Sequence, residues 1–238
     1  MKIILTGGGT GGHLFPAIAL AEIFKERDSG NEITFIGSKK GLEAKILYKY
    51  GFHLETLDVG GVKGKGLLNR AISILKALMG IFKSIKLIRR YMPDLVVGAG
   101  GYSAFPVVAA AKIMKVMTII LEQNTLPGIT NRYLGRFVDR VFVAFPDAKK
   151  YFPKGKVVVS GNPVRKEILK AKGERRKAKG EGFTILVFGG SQGAKAINSI
   201  FLESLEYLKH CSINIIHQTG EEDYERVKET YNKLKTQN

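Results

Sequence analysis

With 238 residues, 45% of them hydrophobic, the chain can bury a core in one large or two small domains. A single cysteine, Cys211, excludes a disulfide framework and a zinc–thiolate cluster, and no apolar run of about eighteen residues is free of charge, which excludes a membrane-spanning helix. Lysine and arginine outnumber aspartate and glutamate 38 to 21, a net charge of +17 that favours an anionic partner.

The chain starts directly on an expected strand over 2–6, with no signal-peptide pattern, so a cytoplasmic setting is expected. That strand runs into Gly7-Gly8-Gly9-Thr10-Gly11-Gly12-His13. A helix is expected from Pro16 to Arg27, with proline in the first turn, where its missing N–H is harmless. A strand over 32–37, a helix over 42–50 and a short strand over 52–57 follow. Residues 59–93 contain no acid but carry Lys63, Lys65, Arg70, Lys76, Lys83, Lys86, Arg89 and Arg90 among many Leu and Ile residues. This predicts a basic helix over 67–91 that covers the sheet, lies on an anionic membrane surface, or does both. Nucleic acid is not expected as a partner, because only Phe82 and Tyr91 supply aromatic rings there.

A strand over 95–98 leads into a second glycine turn, Gly98-Ala99-Gly100-Gly101-Tyr102, and a helix over 105–114. A strand over 117–121 ends at Glu122-Gln123-Asn124, followed by a helix over 128–136. Strands over 140–144 and 156–160 come next, the latter ending at Gly161-Asn162-Pro163-Val164-Arg165. Residues 166–182 are charged and carry no strand pattern, which predicts a linker between a domain over 1–165 and a second over 183–238. A strand from Phe183 enters a third glycine turn, Gly189-Gly190-Ser191-Gln192-Gly193-Ala194, before a helix over 194–208, a strand over 213–218 and a helix over 222–234. Strands alternating with helices predict a parallel α/β sheet. Two strands are too few for a stable sheet, so the second domain is expected to be incomplete or completed by another chain.

A strand feeding a glycine turn and then a helix presents free N–H groups and a positive dipole end to an anion. Gly7, Gly9 and Gly12 satisfy G-x-G-x-x-G, but the second strand ends in Ser38-Lys39 rather than an acid. A phosphorylated ribose could sit there, so an NADP-dependent oxidoreductase stays open. A P-loop ATPase is excluded by His13-Leu14 where Lys-Ser/Thr is required. His13 can take a proton near neutral pH, or merely cap its helix. Glu122, Gln123 and Asn124 suit a hydroxyl-rich ligand, although Glu122 could be a cap or ion-pair residue. Arg165 could clamp a diphosphate. No D-x-D pair is present, so phosphate charge is expected to be met by N–H groups, helix dipoles and Arg165, with no metal and no other cofactor.

Taken together, five stretches resemble the MurG glycosyltransferases of peptidoglycan synthesis: Gly8-Gly9-Thr10-Gly11-Gly12-His13 with Phe15-Pro16, Gly100-Gly101-Tyr102, Glu122-Gln123-Asn124, Gly161-Asn162-Pro163-Val164-Arg165, and Gly189-Gly190-Ser191-Gln192-Gly193-Ala194. The resemblance implies a GT-B fold of two Rossmann-like domains. It implies inverting transfer of N-acetylglucosamine from UDP-GlcNAc to the C4 hydroxyl of the muramoyl sugar of lipid I, giving lipid II. His13 is then the candidate general base, or helps to position the acceptor. Thr10, Gly11, Gly12, Asn124, Arg165 and Ser191 match donor-contact positions, while Gly100, Gly101 and Tyr102 are expected to face the acceptor. The basic helix becomes a dock on the cytoplasmic face of the plasma membrane. The family chain continues well beyond Asn238 and there carries most of the uridine pocket. Non-catalytic docking within a split transferase is the alternative.

Overall fold

The structure is a computed structural model describing residues 1–39, 42–57, 67–171, 183–190, 193–208 and 210–236, with backbone alone described over 67–74, at 171 and over 235–236. It divides into two compact units, Met1–Gly173 and Glu174–Asn238.

In the first unit, β1 (Lys2–Gly7), β2 (Glu32–Gly37), β3 (His53–Thr56), β4 (Leu95–Gly100), β5 (Met117–Glu122), β6 (Arg140–Val143) and β7 (Val157–Val159) form one sheet, ordered β3-β2-β1-β4-β5-β6-β7. Every pairing is parallel. Successive strand residues face opposite sides, so Ile3, Leu5, Phe35 and Val97 build one core with Leu14, Ala17 and Ile18 of α1 (Gly11–Arg27). Ile4, Ile36, Val96 and Ile120 build the other. There they meet Ile88 of α3 (Leu67–Tyr91), Val107 and Val108 of α4 (Ala104–Ile113), and Leu134 of α5 (Ile129–Leu134). Both faces are covered, as a parallel sheet requires. The strand order reverses between β1 and β4, which opens a crevice at their C-terminal ends.

Three local expectations change. The helix expected from Pro16 starts at Gly11, with Thr10 extended as its N-cap, so Pro16 lies in the second turn and His13 in the first. Pro16 has no N–H for the Gly12 carbonyl, which loses its helical partner. The helix expected over 42–50 is α2 (Leu42–Ile46) followed by a 3₁₀ turn over Leu47–Tyr50. The expected linker opens with α6 (Lys166–Ala171), whose Lys166 pairs with Glu26; residues 172–182 lie outside the described residues.

At the opposite edge of the sheet, Asp139 ties α4 to β5. Its carboxylate accepts from Lys112 Nζ at 2.6 Å and from the Thr118 N–H and hydroxyl at 2.9 and 2.8 Å. Burial pushes this carboxyl up, but the Lys112 ammonium and the Thr118 donors outweigh it and hold it at about 2. A depressed carboxyl contributes stability above its unfolded value and loses it as pH falls through the folded one. Wild type should therefore lose about 1 kcal/mol more than Asp139→Asn between pH 5 and 2, a figure reduced for solvent screening of a partly exposed pair. Urea unfolding across that range measures the difference.

In the second unit, β8 (Phe183–Phe188) and β9 (Ile213–Gln218) pair in parallel, with α7 (Lys195–Ser204) and α8 (Tyr224–Thr236) beside them. Asn198 is fully buried and donates to the Thr219 carbonyl at 2.9 Å and to Asp223 Oδ2 at 2.8 Å. Asp223 accepts both Arg226 Nε and Nη2 at 2.7 Å, and Arg226, then Asn198, hold its carboxyl well below the usual range. Phe183, Leu186 and Phe188 on β8 and Ile216 on β9 remain exposed.

Candidate functional site

The crevice between β1 and β4 gathers the glycine turns because adjacent parallel strands end at one edge. A Cβ at Gly7 would lie 2.8 Å from Ala99 Cβ, and one at Gly101 would lie 2.5 Å from the Gly8 carbonyl oxygen. Only glycine permits this approach, and Gly101 also holds a left-handed φ of 85°. The first two turns are thus in direct contact.

Beside them, a buried carboxylate already holds part of the first turn. Glu43 Oε2 accepts from Gly9 N–H at 3.2 Å and Oε1 from Ser38 N–H at 2.8 Å. This carboxylate occupies a donor that a dinucleotide diphosphate would need, which weighs against the oxidoreductase alternative. The Gly11 and Gly12 N–H groups at the start of α1 receive no side-chain cap from Thr10 and form the dipole end of a 17-residue helix.

His13 projects from that first turn and is half-buried. Its Nδ1 lies 3.2 Å from Gln123 Oε1, just beyond β5. Gly100, with φ of 104°, leaves room for the ring: a Cβ there would come within 2.8 Å of His13 Cε1 and Nδ1. Tyr102 follows on the same turn and is 77% exposed, so its ring is open to a ligand. The structure brings together Thr10, Gly11, Gly12, His13, Gly100, Gly101 and Tyr102.

The other expected site residues behave differently. Glu122 is buried and faces its own loop: Oε1 accepts from Asn124 N and Nδ2 at 2.9 and 3.1 Å, and Oε2 from Gly128 N and Asn131 Nδ2 at 3.3 and 2.9 Å. It staples the β5–α5 loop, so the cap reading holds and the ligand reading does not. Asn124 is exposed beside it, one N–H of its amide donated to Glu122. Arg165 stacks 4.0 Å above the Phe15 ring and donates to the Tyr50 hydroxyl at 3.1 Å, using one of its five N–H groups. Ser191 lies outside the described residues. His217, at the end of β9, is held inside the second unit: its ring lies edge-on to Phe201 at 5.3 Å, its nitrogens stand 3.2 Å from the Tyr231 hydroxyl and 3.1 Å from Asn198 Oδ1, and burial pushes its pKa down. Gly193 itself is pressed against the loop after β9, since a Cβ there would meet the Thr219 carbonyl oxygen at 1.9 Å.

Sequence reasoning missed Gln123 as the partner of His13 and Glu43 as the acceptor for the Gly9 and Ser38 N–H groups. Only the strand order, which places the β5 end one strand beyond β4, could have shown the first.

The long basic helix α3 has two apolar sides. Gly80, Ser84 and Ile88 are buried toward α4 and the sheet, and Ser84 folds its hydroxyl onto the Gly80 carbonyl at 2.8 Å. Leu75, Leu78, Met79 and Phe82 form an exposed row at helical spacing, flanked by exposed Lys76, Lys83 and Lys86. Among the described residues no helix is long and apolar enough to cross a membrane.

Comparison with known proteins places these features. Residues 3–143 match the glycosyltransferase family 28 N-terminal domain, and residues 184–238 the glycosyltransferase family 28 C-terminal domain. The UDP-N-acetylglucosamine–N-acetylmuramyl-(pentapeptide) pyrophosphoryl-undecaprenol N-acetylglucosamine transferase of Syntrophus aciditrophicus is 48% identical over 234 residues, covering 97% of this chain and 64% of that protein. The protein of the same name from Citrifermentans bemidjiense is 47% identical, covering 97% and 65%. The crystal structure of Acinetobacter baumannii MurG superposes with a TM-score of 0.71 at 28% identity, over 97% of this chain and 62% of that one. A UDP-GlcNAc 2-epimerase from Neisseria meningitidis shares the fold at 16% identity, with a TM-score of 0.61 over 97% of this chain and 69% of that one. This chain spans a little under two thirds of the length of these curated relatives.

Proposed function

The chain belongs to glycosyltransferase family 28, and from that premise we propose that it carries the acceptor side and the base of an inverting N-acetylglucosamine transferase. The donor is UDP-GlcNAc and the acceptor is the C4 hydroxyl of the muramoyl sugar of undecaprenyl-linked lipid I. The observation that carries this reading is His13 standing in the first turn of α1, against the Gly100-Gly101 turn, at the strand-order reversal.

In the proposed reaction His13 takes the proton of the acceptor hydroxyl. The oxygen bonds to C1 of the donor sugar from the face opposite the diphosphate. The C1–O bond to the diphosphate breaks, and UDP leaves with the electron pair, so the α linkage becomes β. The Gly11 and Gly12 N–H groups and the α1 dipole meet phosphate charge, with Thr10 at the cap. Tyr102 offers a ring to the acceptor, and Asn124, Arg165 and Ser191 contribute on the donor side. A chain extended to the length of its relatives should transfer labelled GlcNAc to a soluble lipid I analogue. Hydrolysis of UDP-GlcNAc without transfer would reject the reading.

The exposed α3 row then docks the protein on the cytoplasmic face of the plasma membrane, where the acceptor is anchored. Apolar insertion and about 1 kcal/mol per nearby cation support such docking. Leu78→Glu with Phe82→Glu should lower cosedimentation with phosphatidylglycerol vesicles at least about tenfold, by removing two inserted side chains and adding two like charges. Unchanged partitioning would remove α3 from the membrane contact.

A further inference from the structure

We propose that Gln123 is a positioning residue that fixes the tautomer of His13, holding the proton on Nδ1 and leaving Nε2 as the open lone pair; the inference rests on the proposed role of His13 as base. The Gln123 side chain ends in a carboxamide. Its two ends differ, because the oxygen only accepts and the nitrogen only donates. Gln123 Nε2 lies 3.1 Å from the Ala99 carbonyl oxygen, which can only accept. That contact assigns the NH₂ to the β4 side and turns Oε1 toward the imidazole, where it stands 3.2 Å from Nδ1. An amide oxygen facing a ring nitrogen at hydrogen-bond distance requires that nitrogen to carry the hydrogen. The neutral ring then has its unprotonated nitrogen at Nε2.

The surroundings give this relay a fixed frame. Ala99 is fully buried in β4, so the acceptor that orients the amide is part of the sheet. Gly100 lies against the ring on one side. Neither nearby carboxylate competes for Nδ1: Glu43 is engaged by Gly9 and Ser38, and Glu122 by Asn124, Gly128 and Asn131. Among the described residues, Gln123 is the one hydrogen-bond partner of the His13 ring. A base whose Nδ1–H is anchored can receive a substrate proton only at Nε2, so the amide decides which nitrogen meets the acceptor hydroxyl.

Long-range ¹H–¹⁵N spectra of the 238-residue chain with ¹⁵N-labelled histidine test this, at a pH where the ring is neutral. Wild type should show His13 with a protonated Nδ1 and an unprotonated Nε2. Gln123→Leu should lose the single form and populate both tautomers. Gln123→Glu should keep Nδ1 protonated, since a carboxylate oxygen also accepts from it. An Nε2–H ring in wild type overturns the proposal, as does an unchanged signal in folded Gln123→Leu. If the leucine variant fails to fold, the glutamate variant decides, because an Nε2–H ring there also overturns it. The signature is independent of turnover, so a failure of His13 as base would leave the tautomer result standing and remain distinguishable from it.

Discussion

His13→Ala should lower kcat for GlcNAc transfer by about 10²–10⁴-fold in a chain extended to the length of its relatives, the range a positioned general base contributes. The substitution removes the imidazole without taking a residue from either core, since His13 is half-buried and both hydrophobic clusters close without it. Gln123 keeps its bond to the Ala99 carbonyl, so the β4–β5 edge retains its anchor. Gly11, Gly12 and Arg165, the groups proposed for the donor side, are untouched. KM for UDP-GlcNAc should therefore change little while kcat falls, the pattern of an interaction made in the transition state. Turnover near the parent level would remove His13 from the chemistry and leave it as a first-turn residue of α1.

Gly101→Ala should destabilise the first unit by at least about 3 kcal/mol, a large share of the roughly 5–15 kcal/mol that holds a domain together. Two effects add. A left-handed backbone costs a residue with a Cβ about 1–2 kcal/mol, and Gly101 sits at φ of 85°. The new methyl would also lie 2.5 Å from the Gly8 carbonyl oxygen and 3.3 Å from Gly8 N, which are backbone atoms at a strand end and cannot rotate aside. The two turns must separate, which opens the crevice itself. Gly128→Ala is the matched control, because its φ is −62° and a Cβ there meets nothing within 4 Å. The control should stay within about 0.5 kcal/mol of the parent. Urea midpoints at unchanged slope give both values, and a Gly101→Ala loss below about 1 kcal/mol would mean that the turns are not in contact.

Much of the fold was legible because its signals are local. Ile3, Ile4 and Leu5 read as a buried strand by composition, and glycine after each strand marked the turns. The start of α1 was not legible, because Pro16 resembles a first-turn proline, while the glycines at 11 and 12 resemble loop, and the helix begins there directly after the extended Thr10. The double face of α3 was half visible: its apolar content was plain, but which row turns inward depends on α4, whose approach is allowed by small Gly80 and Ser84. At the site, His13 and the glycine turns stood out by type and spacing. Glu122 stayed open between ligand and cap, because a carboxylate after a strand faces ligand or loop according to where Asn131 stands, nine residues later. Arg165 read as a possible diphosphate clamp, and its stacking on Phe15 and bond to Tyr50, far away along the chain, had no local signal. The His13–Gln123 contact joins positions that no local pattern relates.

The decisive measurement is an amide NMR titration of this 238-residue chain with a short-chain, water-soluble lipid I analogue. Shifts concentrated at Gly100, Gly101 and Tyr102, together with the His13 ring, are expected if the β1–β4 crevice is the acceptor site. Shifts confined to the β8–β9 end, or no shifts at concentrations that saturate a relative, would contradict it.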